Sequence, residues 1–206
     1  MTQLEIRSAR PTDVTDTIPL IYSSGPHEFE YGFTHAGRSA KGFLEYAFQT
    51  EKGLISYRNH ISVCRGDEVV GVGAFYTDKD YAMRSNQIAL QLVRYYPLLS
   101  LLSVVRHVLH LQSIIPAIPS DTFYIADLGV KEAWRGKGIG KMLLDYGKQQ
   151  ARRMNFSSCM LDVSIANPRA QALYEREGFV VINEFAFKGV PGMVSDSSRM
   201  RFSLSA

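Results

Sequence analysis

The turn Arg135-Gly136-Lys137-Gly138-Ile139-Gly140, with Lys141 behind it, has the residue types needed to hold a phosphate. Glycines let the backbone come close to an anion, and the unpaired amides of a helix's first turn point at it with the helix dipole behind them. Arg135, Lys137 and Lys141 add positive side chains around the same point. Spacing excludes two common phosphate binders. A P-loop has four residues between its first glycine and the Gly-Lys-Ser/Thr ending. Here Gly136 is separated from Gly140-Lys141 by three, and Met142 stands where the metal-binding hydroxyl belongs. A dinucleotide fingerprint beginning at Gly136 and Gly138 requires its third glycine where Lys141 stands, and it normally follows the first strand of a domain. The pattern that fits is Arg/Gln-x-x-Gly-x-Gly/Ala, supplied by Arg135, Gly138 and Gly140.

Read with its flanks, that pattern resembles the GNAT superfamily of acetyl-CoA-dependent N-acetyltransferases. The resemblance runs from Tyr124-Ile125-Ala126-Asp127-Leu128-Gly129-Val130 through Glu132-Ala133-Trp134 and the glycine turn into the helix behind it. It resumes at Asn167-Pro168-Arg169-Ala170-Gln171-Ala172-Leu173-Tyr174-Glu175-Arg176-Glu177-Gly178-Phe179, which is similar to the family's second motif. The fold it implies is α/β. A mixed central sheet of about six or seven strands is splayed between the fourth and fifth and flanked by helices. The activity it implies is direct transfer of acetyl from acetyl-CoA to a primary amine on a small molecule or peptide. The alternative is a GNAT-fold module that binds acyl-CoA for regulation and has little transferase activity.

The resemblance also assigns roles. The backbone of Leu128, Gly129 and Val130 would pair with the pantetheine arm, lying in the splay like a false strand. Amides of Gly136, Lys137, Gly138, Ile139, Gly140 and Lys141 would hold the pyrophosphate, with Arg135 beside them. Asn167 would bond the pantetheine, although Asn-Pro also caps a helix in any protein. Tyr174 aligns with the general acid that protonates the departing thiolate; plain core packing is the other reading. An ammonium cannot attack a thioester until it loses a proton to a base. Asp127 is the candidate for binding or deprotonating the amine, with a merely structural carboxylate as the alternative. Tyr124 stands roughly where some members carry a catalytic glutamate. Acceptor contacts are expected from the first helix-helix loop, with Glu28 and Tyr31 as candidates beside His27, Glu30 and His35; solvated loop charge is the other reading.

These residues need elements to carry them. Leu4 to Arg7 alternates as an opening strand, and Pro11 begins a helix that Pro19 should kink or shorten. A loop from Gly25 to Gly37 and a second helix to about Gln49 follow. Arg58–Cys64 and Glu68–Tyr76 read as a hairpin turning at Gly66-Asp67. A helical insertion spans 78–119, ahead of a strand at Thr122–Val130. Next come a helix over Gly138–Arg152, a strand at Cys159–Ser164, and a helix opened by Asn167-Pro168 and stopped at Gly178. Two strands end the chain. The whole of 1–206 reads as one domain.

The insertion is the main peculiarity. On a helix from Pro97 to Ile115, Ser100, Ser103, His107 and His110 form a narrow polar stripe among leucines and valines. So apolar a helix should be largely buried, completing the core, roofing an apolar acceptor site or forming a homodimer face. A third option for it is docking on a membrane surface. His107 and His110 lack acidic or thiol partners in sequence, so no metal is expected.

Composition limits the rest. The 206 residues are 46% apolar and 21% charged, enough for one sizeable core. With 23 basic and 20 acidic residues the formal charge is +3, and no run of five like charges occurs, so nucleic acid is not an expected partner. Cys64 and Cys159 match no metal or redox spacing and are expected as free thiols. Met1 to Glu5 lacks the pattern of a signal peptide, and the uncharged run from Tyr95 to Val105 is too short to span a bilayer. The expected location is the cytoplasm.

Overall fold

Seven stretches rich in β-branched and aromatic residues form one sheet, the arrangement such side chains favour because they pack well on a pleated surface. The computed structural model describes residues 3–204. The strands are β1 (Leu4–Ser8), β2 (His60–Arg65), β3 (Glu68–Thr77), β4 (Thr122–Val130), β5 (Ser158–Ser164), β6 (Val180–Phe185) and β7 (Ser197–Ser203). Their order across the sheet is β1-β2-β3-β4-β5-β7-β6. Every pairing is antiparallel except β4 with β5, so the sheet is mixed as expected. The hairpin between β2 and β3 turns at Gly66, whose φ of 60° is one that glycine adopts without penalty.

Helices cover both faces. Helix α1 (Val14–Ser24), α2 (Pro26–Phe33) and α3 (Ala40–Phe48) contribute Ile18, Ile21, Phe33, Phe43, Leu44 and Phe48 to one core cluster. On the other side, α7 (Ile139–Arg153) and α8 (Pro168–Arg176) pack Leu144, Ala151 and Tyr174 against β4, β5 and β7. Between β3 and β4 the chain forms α4 (Asp78–Ser85), α5 (Ile88–Tyr95) and α6 (Leu101–Leu111). Cys64 and Cys159 are buried and unpaired. Among the described residues no helix is long and apolar enough to cross a membrane.

Three expectations change. The loop anticipated at Gly25–Gly37 is largely α2; Pro26 at its first turn has the right φ and no amide to lose, which starts a helix immediately after α1. Pro19 does not stop α1, which continues to Ser24 with Ile18, Leu20 and Ile21 buried. Tertiary packing of that face outweighs one lost hydrogen bond.

The third correction is the largest. The insertion is three helices; the one expected from Pro97 to Ile115 is the shorter α6, and it is not largely buried. Leu98, Leu99 and Leu102 are 82%, 100% and 83% exposed, while Val104 is the buried residue of α6. The histidine stripe faces the protein beside Leu101, Val104 and Val108, which pack on the core. His107 Nδ1 lies 3.0 Å from Tyr31 O and 2.9 Å from His35 Nε2, and His110 Nδ1 is 2.6 Å from the Tyr31 hydroxyl. Aromatic stacking of Tyr31 on the His107 ring, with centroids 4.4 Å apart, adds to the dock between α2 and α6.

At Gly129, β4 comes so close to α1 that only glycine fits. A Cβ placed there would lie 2.2 Å from the Leu20 carbonyl oxygen and 2.6 Å from its carbon, both backbone atoms that cannot swing aside. Gly129→Ala should therefore cost about 1–3 kcal/mol, the range for overpacking a filled interior. Denaturant unfolding of the purified variant reads this directly; an unchanged midpoint would mean that α1 and β4 separate without cost.

Candidate active site

The parallel ladder between β4 and β5 has only three registered pairs, Thr122–Ser158, Phe123–Cys159 and Tyr124–Met160. Beyond Tyr124, β4 continues to Val130 and β5 to Ser164 without pairing to each other. Backbone donors and acceptors along that opening are available to an extended ligand, because a strand edge is a ready template for another strand.

A bulge sits at the same place. Val72 pairs with Gly129 and Ala74 with Ala126, so Asp127 and Leu128 together oppose the single residue Gly73. Asp127 has φ of 52°, left-handed for a residue with a side chain. Such geometry costs energy and is held in place by its surroundings. A bulge re-aims side chains and bends the strand.

At the far end of β4 lies the glycine turn. Gly136 and Gly138 have φ of 76° and 83°, and a Cβ on either would meet nothing within 4 Å. The amides from Gly136 to Lys141 donate to no carbonyl or side chain among the described residues; the next one, Met142 N, returns to Gly138 O. Six successive unspent amides at the start of a 15-residue helix fit the pyrophosphate of a nucleotide-linked donor. The cations are arranged less uniformly than the sequence suggested. Lys137 lies over the Trp134 ring at 4.6 Å, and Arg135 Nε reaches Val130 O at 3.4 Å. Lys141 turns its ammonium away to Glu177 at 2.8 Å and Asp145 at 3.2 Å, leaving its backbone amide at the turn.

One cavity of about 750 Å³ joins the split ladder and the bulge; the glycine turn is not part of its lining. Ile125 to Leu128 and Leu161 to Ser164 form its floor at the split ladder, and Asn167 and Tyr174 form one side. Asn167 also caps α8, accepting from Ala170 N at 3.1 Å, so capping and a place in the wall coexist. Tyr174 is buried beside Phe179, and burial pushes its hydroxyl up to about 12. Its hydroxyl has no hydrogen-bond partner among the described residues. Opposite stand Glu28, Phe29 and Phe33 of α2, with Tyr81, Val108 and Leu111 of the insertion. Burial raises the Glu28 carboxyl above its ordinary value.

The structure thus brings together Asp127, Leu128, Asn167, Tyr174, Tyr124 and Glu28, all predicted from sequence. Tyr31 is placed elsewhere. It lines a separate cavity of about 380 Å³ with His27, Thr34 and His107, because its ring is held by the α6 histidines.

Two further groups carry no local motif. His60 donates from Nδ1 to Ser56 O at 2.9 Å, since a carbonyl can only accept, and so turns Nε2 toward Asp127 Oδ2 at 3.5 Å. That Nε2 is fully buried with no hydrogen-bond partner. Second, Asp162 accepts from Arg199 Nε and Nη2, both at 2.8 Å, and from the Tyr124 hydroxyl at 2.9 Å. Burial pushes the Tyr124 hydroxyl well up. Spacing along the chain gives no sign of either contact, since both are made across strands distant in sequence.

The fold agrees with the comparisons. The acetyltransferase (GNAT) family matches residues 27–179, and the chain belongs to that family. An uncharacterized N-acetyltransferase of Bacillus subtilis, YycN, is 39% identical over 64 residues, 31% of this chain and 41% of that protein. A mycothiol acetyltransferase of Propionibacterium freudenreichii is 41% identical over 56 residues, 27% of this chain and 18% of that protein. The match therefore spans less than half the length of either relative. An N-acetyltransferase from Staphylococcus aureus Mu50 superposes with a TM-score of 0.71 over 96% of this chain and all of that one, at 16% identity. Another acetyltransferase superposes at 0.66 over 98% of this chain and 100% of its own length, at 19% identity. At such identities the likeness is one of fold.

Arg199 and Asp162 are 4% and 5% exposed, so removing one charge strands the other. Arg199→Met should cost about 3–5 kcal/mol. Adding Asp162→Asn to that variant should recover much of the loss, because no buried charge then remains. Thermal or denaturant unfolding of the single and double variants makes the comparison; a double variant no better than Arg199→Met would mean the cost is one of shape, not charge.

Proposed function

We propose that this chain transfers acetyl from acetyl-CoA directly to a primary amine. The observation that carries the reading is the single cavity that joins the open β4–β5 ladder, the Asp127–Leu128 bulge and the Tyr174 hydroxyl. The six free amides at the glycine turn support acetyl-CoA as the donor, with the pantetheine arm running from that turn into the split ladder. Backbone groups of Leu128 and Val130 at the split edge orient the arm.

The reaction balances without a metal or an enzyme-bound acyl group. The incoming ammonium gives up one proton; Asp127, backed by His60, is the group placed to receive it or to hold the cation while water does. The neutral nitrogen forms a bond to the thioester carbonyl carbon, the carbon–sulfur bond breaks, and the leaving thiolate takes the sulfur–carbon electron pair. Tyr174, protonated throughout the neutral range, donates to that sulfur and later recovers a proton from the acceptor side or solvent. The products are an N-acetyl amide and CoA. His60 acts through Asp127 and is a positioning residue.

Tyr174→Phe should lower kcat by about 10²-fold or more, the usual share of one positioned acid, while acetyl-CoA affinity stays within a few-fold. Asp127→Asn should behave alike. His60→Asn should lower kcat less, and should add nothing in the Asp127→Asn background, because the two act as one unit. Free-thiol release across an amine panel measures the rates, and calorimetry measures donor binding. Undiminished thiol release by both Tyr174→Phe and Asp127→Asn, with CoA still bound, would remove these roles and favour the regulatory acyl-CoA-binding module.

A further inference from the structure

We infer that the acceptor is a small lipophilic primary amine that carries no carboxylate or phosphate of its own. This rests on the transferase reading for the site's purpose, but its evidence is the composition of the wall. Among the described residues lining the cavity there is no lysine, arginine or histidine. Four carboxylates do line it: Glu28, Asp78, Asp127 and Asp162. Asp162 is committed to Arg199, and Asp127 faces His60 from the bulge. Glu28 and Asp78 have no ion-pair partner among the described residues. A cationic amine entering this space meets carboxylates and no charge of its own sign.

An anionic group on the same molecule would meet no cation at all. It would lose its hydration and lie among charges of its own sign, a combination that proteins avoid because unpaired buried charge is costly. The rest of the wall is more apolar than polar, with uncharged groups such as Ser23, Tyr81, Asn86 and Gln112 set among the apolar ones. Phe29 and Phe33 project from α2, and Ile88, Val108, Leu111 and Ile118 come from the insertion that closes the opposite side. Such a surface suits an aryl or alkyl body. Burial already raises the Glu28 carboxyl, and the charge of a bound ammonium beside it would favour its ionised form.

Matched pairs that differ by one carboxylate test this cleanly: 2-phenylethylamine against phenylalanine, tryptamine against tryptophan, and hexylamine against 6-aminohexanoate. Spermidine and a phenylalanyl peptide amide serve as polycationic and peptidic probes. Each is titrated calorimetrically into the CoA-bound protein, which reads affinity whether or not turnover occurs, and each is also assayed for thiol release with acetyl-CoA. The expected result is a preference of at least about a hundredfold for the decarboxylated member of every pair, the scale of an unpaired buried charge. Glu28→Gln should narrow that ratio several-fold while leaving acetyl-CoA binding unchanged. Equal or reversed preference within the pairs, tighter binding of spermidine or the peptide amide, or no binding by any amine would each overturn the inference. A clear binding preference with no thiol release would instead sink the transferase reading and leave the selectivity standing.

Discussion

Everything in the site follows from one interrupted ladder. Two parallel strands that pair at Tyr124–Met160 and then part leave a wedge in the middle of a sheet, where backbone polar groups normally have partners. The protein keeps the wedge open from both sides. On one, Gly129 lets α1 press against β4, and the bulge at Asp127–Leu128 bends the strand. On the other, β5 is held by β7 through a complete ladder and by the buried Asp162–Arg199 pair. Closing the wedge would require breaking one of these, so the opening is a built feature and not a fluctuation.

The same wedge orders the rest of the chemistry. The glycine turn comes a few residues after β4, the strand that carries the bulge. Helix α8 follows β5, which brings Asn167 and Tyr174 to the opposite lip. Asp127 is placed by the bulge, and His60 reaches it because His60, Ala74 and Ala126 lie in line across β2, β3 and β4. Asp127, Asn167 and Tyr174 thus meet at one cavity through separate pieces of local geometry.

Sequence reasoning reached most of this wherever the signal was local. The Arg135–Gly140 turn, Asn167-Pro168 and the β4 run each state their conformation in consecutive residues, and the structure places β4 at Thr122–Val130 as expected. What escaped was set by contacts between distant segments. His60 and Asp162 look like any strand residues until β4 lies beside them. The α6 region misled for a different reason: its leucines and valines outnumber its polar residues, so pattern alone buries more of the helix than the structure does. Tyr31 and His35 decide the matter by binding His107 and His110, and neither contact is visible in the periodicity of α6. Helix α2 was missed because eight residues give too little periodicity to set against a glycine on either side.

The mixed inward face of α6 has a consequence for how this chain can vary. In an ordinary surface helix the apolar positions are the constrained ones and the polar positions drift freely. Here the two kinds share both faces: Leu101, Val104 and Val108 pack on the core beside the bonded His107 and His110. Leu98, Leu99 and Leu102 stand in solvent and could be exchanged for polar residues with little effect on packing within this chain. His107 and His110 anchor the segment whose far edge, at Val108 and Leu111, shapes the cavity wall. A collection of natural variants read by hydropathy alone would therefore misjudge which changes in this segment are neutral and which reshape the cavity.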